Sequence, residues 1–268
     1  MAIIPIVAGV AILGALVAAS SGATSGVSAG AGEYPTGTGY EDLRAVMDAA
    51  QLPADWQVFL AATALRESGW HTDVGLGPND APGRPPWMRA SRASWAAQDN
   101  EASAAGKAYD KNVGLFAGSP YPRSRYAFGS GGWFGFLPAY GIISGFKQSP
   151  KMIAQIDPWA VCHPLVSVVM AVGFARGLMG WRQFDEGGGT WFALRIGWGK
   201  PGKMAQTASS PKTRASFAGH LATVGAAPSF MDRRPSPLTG PTGAALLQLL
   251  EGREREAEAA MAMIEGGT

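Results

Sequence analysis

The sequence predicts a mainly α-helical protein with long ordered loops, and three observations carry that expectation. Apolar residues recur three to four positions apart in several short windows, the period of a helix face. Charged residues make up only 16% of the chain, whereas Gly (37), Pro (19) and Trp (9) are plentiful, a composition suited to short helices joined by many turns. At 268 residues and 47% hydrophobic content, the chain can bury one core of ordinary size with appendages, or two small ones, and global disorder is excluded.

Residues 1–20 form the first expected unit. From Ile3 to Ala19 there is no charge, and every side chain is small, aliphatic or proline. That length just suffices to span a bilayer core of about 30 Å as a helix. The Met1-Ala2 start lacks the positive charge of a secretory signal, and no Lys or Arg flanks the far end to orient a span. A retained membrane-interacting helix is favoured over a removed signal; burial inside a large assembly is the third alternative. Residues 21–39, dominated by Gly, Ser, Ala and Thr, read as a flexible linker.

The body is expected over residues 40–225. Glu41 to Leu52 is a helix, with Leu43, Val46 and Met47 on one face and Pro53 stopping it. A second helix starts at Ala54 or Asp55 and runs to Glu67, with Trp56, Leu60, Ala64 and Glu67 on one inward stripe and Gly69 as the stop. The long turn-rich stretch from Trp70 to Arg125 is expected to hold one helix between Met88 and Lys107, with Trp95 on its apolar side. An apolar aromatic segment follows from Trp133 to Phe146, and Pro150 to Ile156 is a short helix. Asp157-Pro158 opens the next helix, Asp as cap and Pro at the first position. The run from Pro164 to Leu178 is apolar nearly all round and is expected as the central buried helix. Trp191 to Gly197 forms another, and the body ends near Val224. Residues 226–241 read as a Pro/Ser linker. Residues 242–268 carry a separate helix, apolar at Leu246, Leu247, Leu249 and Leu250, then alternately charged from Glu251 to Glu258; docking of that helix on a protein partner is an expectation. No internal repeat is present.

A net charge of +2 and a pI of about 8.7 are too weak and scattered for nucleic acid, though mildly favourable for an anionic wall polymer. The single cysteine, Cys162, excludes an intrachain disulfide framework. It sits at the entry to an apolar helix and reads as a buried thiol, and its neighbour His163 points elsewhere on a helix. Metal-ligand spacing is absent, with His71, His163 and His220 far apart; no metal and no cofactor are expected. Gly187-Gly188-Gly189 lacks the strand and Lys that a phosphate-binding loop needs.

The chemistry-bearing residues begin with Ala64-Leu65-Arg66-Glu67-Ser68-Gly69-Trp70, a glutamate closing an apolar helix. A carboxyl in poorly solvated surroundings holds its proton to higher pH and can act as a general acid. Downstream lies Gly132-Trp133-Phe134-Gly135-Phe136-Leu137-Pro138. Together the two segments resemble the lysozyme-like lytic transglycosylases, whose catalytic glutamate sits in a Glu-Ser-x-aromatic turn ahead of a Gly-x-x-Gln-x-x-Pro loop. In this chain Gly135 stands where that family usually places the glutamine. The family's later Ala-Tyr-Asn-Ala-Gly-like helix end has a partial counterpart in Trp191 to Gly202, without the Tyr-Asn pair.

The resemblance implies a lysozyme-like domain that cleaves the β-1,4 bond between N-acetylmuramic acid and N-acetylglucosamine. Peptidoglycan glycan strands are the partner it implies, with Glu67 as the single acid/base. Ser68, Gly132, Phe134, Gly135, Arg195 and Trp198 are the expected substrate contacts: Trp198 by stacking on a sugar ring, Arg195 by binding a lactyl or peptide carboxylate. Asp73 and Asp80 are candidates for a second carboxylate, in an arrangement that resembles the loop aspartates of goose-type lysozymes; as loop residues they are equally turn formers. The expected setting is a membrane, reached through residues 3–19, or a virion that must open the wall. A lysozyme-like module without activity is the alternative.

Overall fold

The computed structural model describes residues 39–75, 89–90, 104–127, 129–146 and 153–238. These residues are mainly helical, as the composition and periodicity predict. The first helix, α1 (Tyr40–Ala49), carries Glu41 and Asp42 in its first turn, where the helix dipole favours negative charge. Leu43 and Met47 are buried along one side. Pro53 then precedes α2 (Ala54–Ser68), and Gly69 ends it in the left-handed conformation at φ 64°, donating its N–H to the Leu65 carbonyl. From Phe59 to Ala64 every residue of α2 is buried. The helix is therefore a core element through its middle and reaches solvent only at its ends.

The loop after α2 pairs Val74–Gly75 (β1) in parallel with Arg89–Ala90 (β2). The helix expected over Met88–Lys107 therefore does not begin at its start: Arg89 and Ala90 are extended because β1 offers them backbone partners. Helical structure appears at 104–111 (α3), and Trp95 lies outside the described residues. A 3-10 turn (Val113–Phe116) and the short α4 (Arg123–Tyr126) follow.

Helix α5 (Pro138–Phe146) lies against α6 (Pro164–Met179) at backbone distance. A Cβ at Gly173 would strike the Ser144 carbonyl, and one at Gly145 would press on the Met170 backbone. Asp157 caps as expected, its Oδ1 accepting the Trp159 N–H at 2.9 Å, but the element is a 3-10 helix (Pro158–Cys162). Its other oxygen accepts from Arg125 Nη2 at 2.6 Å, which anchors α4. Of the short helix expected over Pro150–Ile156, Ile153 alone is helical among the described residues.

The short α7 (Arg182–Glu186) leads to α8 (Trp191–Gly199), started by the Thr190 side chain accepting the Ala193 N–H. Residues Trp191 to Trp198 are all buried. Helix α9 (Pro211–Thr223) covers α2 with Phe217 and Leu221. An aromatic column joins these layers. Phe59 of α2 stacks on Trp191 at 4.7 Å between centroids and meets Trp198 and Phe217 edge-on.

The segment expected as a Pro/Ser linker packs against this core as far as Leu238. A 3-10 turn (Pro228–Asp232) buries Phe230 and Met231, and Phe230 stacks on Trp191 at 5.5 Å. Beyond it Ser236 accepts the Trp56 indole N–H and donates its own N–H to Asp55 Oδ2. Proline and serine composition alone reads as linker, but here prolines set an extended strap whose backbone groups find partners on α2. The body therefore extends past Val224. The units expected at residues 1–20 and 242–268 lie outside the described residues, as does residues 21–39 except Gly39. No described helix is long and apolar enough to cross a membrane.

Gly132 has φ 71°, and a Cβ there would run into the Val161 carbonyl oxygen. Gly118 has φ 84° with open space around it. Gly132→Ala is expected to cost about 3 kcal/mol or more, backbone strain plus overpacking, against about 1 kcal/mol for Gly118→Ala. Urea unfolding of both variants checks this, and equal losses would mean that contact with Val161 does not constrain the loop.

Candidate functional site

Glu67 occupies the last turn of α2, where the aligned carbonyls make the helix end negative and an added carboxylate unfavourable. The compensation comes from across the core. Arg195, on the buried α8, donates from Nη2 to Glu67 Oε1 at 2.6 Å; its side chain is wholly buried, while Glu67 keeps about a quarter of its own exposed. Arg66 Nη1 lies 3.7 Å from the same oxygen, on the solvent side. The carboxylate thus sits between a buried and an exposed guanidinium.

The second segment closes over this point. Gly131 and Phe136 exchange both backbone hydrogen bonds at 3.0 Å, pinching Gly132 to Gly135 into a tight turn. Positive φ at Gly132 and Gly135 (61°) lets the chain reverse twice. Three ties fix the turn. Ser68 Oγ donates to the Trp133 carbonyl at 3.0 Å, Trp133 Nε1 donates to the Trp70 carbonyl at 2.9 Å, and Trp198 Nε1 donates to the Phe134 carbonyl at 3.3 Å. Trp70, held at φ 65°, anchors its own ring by donating Nε1 to the Ala61 carbonyl. A Cβ on Gly135 would stand 3.6 Å from Glu67 Oε2, in ordinary contact. Glycine there serves the backbone conformation.

The fold brings together Glu67, Ser68, Gly132, Phe134, Gly135, Arg195 and Trp198, though several do not have the expected role. Phe134 (1% exposed) and Trp198 (8%) are core residues, packed on each other and on Phe136. Trp198 consequently braces the turn and offers no ring face for a sugar. Ser68 spends its hydroxyl on the helix–loop tie and on the Ala64 carbonyl. Gly132 faces the Val161 backbone. Arg195 holds Glu67 from the core, where a lactyl or peptide carboxylate does not reach it. Asp73 is buried, unlike an ordinary turn-forming aspartate, and its charge is felt at Cys162. Asp80 lies outside the described residues.

Burial pushes the Cys162 thiol far above its ordinary range, which the Gly132 backbone only partly offsets. That fits the buried thiol the sequence suggests, not a nucleophile. Among the described residues no group of His, Cys, Asp and Glu is placed to hold a metal. The partner that sequence reasoning missed is Arg195 as counter-ion to Glu67, 128 positions away. One signal was present: Arg195 is the lone charge in the apolar run Trp191 to Trp198.

No protein-family model, curated protein or solved structure matches the chain.

Removing Glu67 leaves a buried guanidinium without its counter-ion. Glu67→Gln is expected to lose about 1–3 kcal/mol, below the range for a wholly buried pair because Glu67 touches solvent. Adding Arg195→Met should recover at least about 1 kcal/mol, since an apolar side chain suits that site better than an unpaired charge. Urea denaturation of the single and double variants measures both, and a double variant no more stable than Glu67→Gln would contradict the assignment.

Proposed function

We propose that this chain is a peptidoglycan-cleaving enzyme, a lytic transglycosylase built on a lysozyme-like domain. The observation that carries the reading is convergence. A glutamate at a helix end, a glycine-hinged aromatic turn and a later buried helix, picked from distant parts of the sequence, meet at one carboxyl that keeps about a quarter of its side chain exposed. Glu67 protonates the glycosidic oxygen as the bond to the muramic acid C1 breaks. The N-acetyl group and ring oxygen of the substrate stabilise the positive centre that forms. The same carboxylate then takes the proton of the substrate's 6-hydroxyl as that oxygen closes on C1, which gives a 1,6-anhydro end and restores the acid.

The runner-up is a lysozyme-like scaffold or glycan-binding module without activity. It is favoured by two observations: Glu67 is committed to an ion pair with a buried arginine, and Gly135 replaces the glutamine that would face the sugar. Incubation of the full chain with purified sacculi, with mass spectrometry of the products, separates the readings. Wild type is expected to release anhydro-muropeptides, and folded Glu67→Gln to lose at least about a hundredfold in rate. Reducing-end products would mean hydrolysis and direct attention to Asp73 and Asp80. No Glu67-dependent release from folded protein would leave the scaffold.

The enzyme would work from a membrane, through residues 3–19, or from a virion that opens the wall during entry. Fractionation is expected to find it with purified particles or with envelope membranes. Recovery only in the soluble fraction would overturn that placement.

A further inference from the structure

The guanidinium of Arg195 is poorly explained as a structural group. Its Nη2 donates to Glu67 Oε1, yet Nε and Nη1 are buried with no hydrogen-bond partner. A buried cation with donors unmet costs more than an apolar residue of similar shape, so packing alone does not favour arginine here. What arginine supplies is a fixed charge at one oxygen of Glu67. The rest of α8 is apolar and capped at Thr190, and Trp191 stacks on both Phe59 and Phe230. The charge is therefore presented from a rigid element.

The two carboxyl oxygens have different surroundings. Oε1 faces Arg195 at 2.6 Å and Arg66 at 3.7 Å. Oε2 lies on the side of Gly135, where a Cβ would stand 3.6 Å from it. We propose that Arg195 is the positioning residue for Glu67: it pins Oε1 from the core and so sets where, and at what pH, the carboxyl gives and takes the proton of the reaction. This inference rests on the peptidoglycan-cleaving reading. Of the charged groups nearby, Arg66 belongs to α2 itself, and burial, with the Arg66 charge beside it, holds the His220 imidazole of α9 below its usual range. The turn from Gly131 to Phe136 contributes no titratable group.

The test compares the full chain as wild type, Arg195→Met and Arg195→Lys by two readouts. One is the pH–rate profile of muropeptide release from sacculi. The other is a carbon-13 NMR titration of labelled glutamate carboxyls, with the Glu67 signal assigned by its loss in Glu67→Gln. Without the neighbouring cation, Glu67 is expected to hold its proton to higher pH. In Arg195→Met the NMR midpoint and the alkaline limb should both rise by about one pH unit or more. Arg195→Lys keeps the charge but not the reach and planar shape that place Nη2 on Oε1, so its limb should stay near wild type while its rate falls about tenfold or more.

A Met variant whose midpoint and limb superimpose on wild type overturns the proposal, as does a Lys variant with wild-type rate. If Arg195→Met does not fold, the Lys variant decides alone. If wild-type protein releases nothing from sacculi, the peptidoglycan reading fails, and the NMR titration still decides whether Arg195 governs the Glu67 proton.

Discussion

A guanidinium placed in the core must meet an anion, and this requirement organises the protein. Arg195 enters from α8 with its side chain out of water, and the carboxyl that answers it is Glu67 at the end of α2. Neither position is comfortable by itself. A carboxylate at a helix C-terminus opposes the helix dipole, and a buried arginine forgoes its hydration. Joined, each offsets the cost of the other, and the pair fixes the register between two helices that are distant in sequence.

The surrounding architecture reads as support for that contact. The aromatic column through Phe59, Trp191 and Phe230 holds α2 and α8 in place, and the strap ending at Ser236 ties down the start of α2 through Trp56 and Asp55. On the other side of the pair, the Gly132–Gly135 turn is locked by Ser68, Trp133 and Trp198. Three polar side-chain atoms, each aimed at a backbone carbonyl, hold a turn whose glycines have little intrinsic preference for one conformation. The region is rigid because its hydrogen bonds are made, and the proton transfer proposed for Glu67 would gain from a carboxyl held still.

Residues expected to touch a sugar turn out to serve the carboxyl instead. Trp198 was expected to stack on a sugar ring and Phe134 to contact substrate, yet both lie in the core. Indole N–H groups in this protein repeatedly donate to main-chain carbonyls, as Trp56, Trp70, Trp133 and Trp198 do. A chain with few charged residues uses these tryptophans as polar fasteners: the ring packs on the core while the N–H meets a main-chain carbonyl.

What the sequence alone determined is local. Apolar spacing, Pro53 and Gly69 bounded α2; Asp157 and Pro158 marked a helical start; the apolar run after Pro164 gave a buried helix, and Glu67 was placed at a helix end. These features depend on neighbours within a few residues, where periodicity and capping act. Tertiary structure decided the rest. Arg89 and Ala90 became a strand because β1 was there to pair with them, and residues 226–238 joined the core because α2 and α8 offered partners to their backbone and to Phe230. Arg195, 128 positions from Glu67, became its counter-ion only when the chain between them folded. Burial and ion pairing are sums over the whole chain, so no window of sequence contains them.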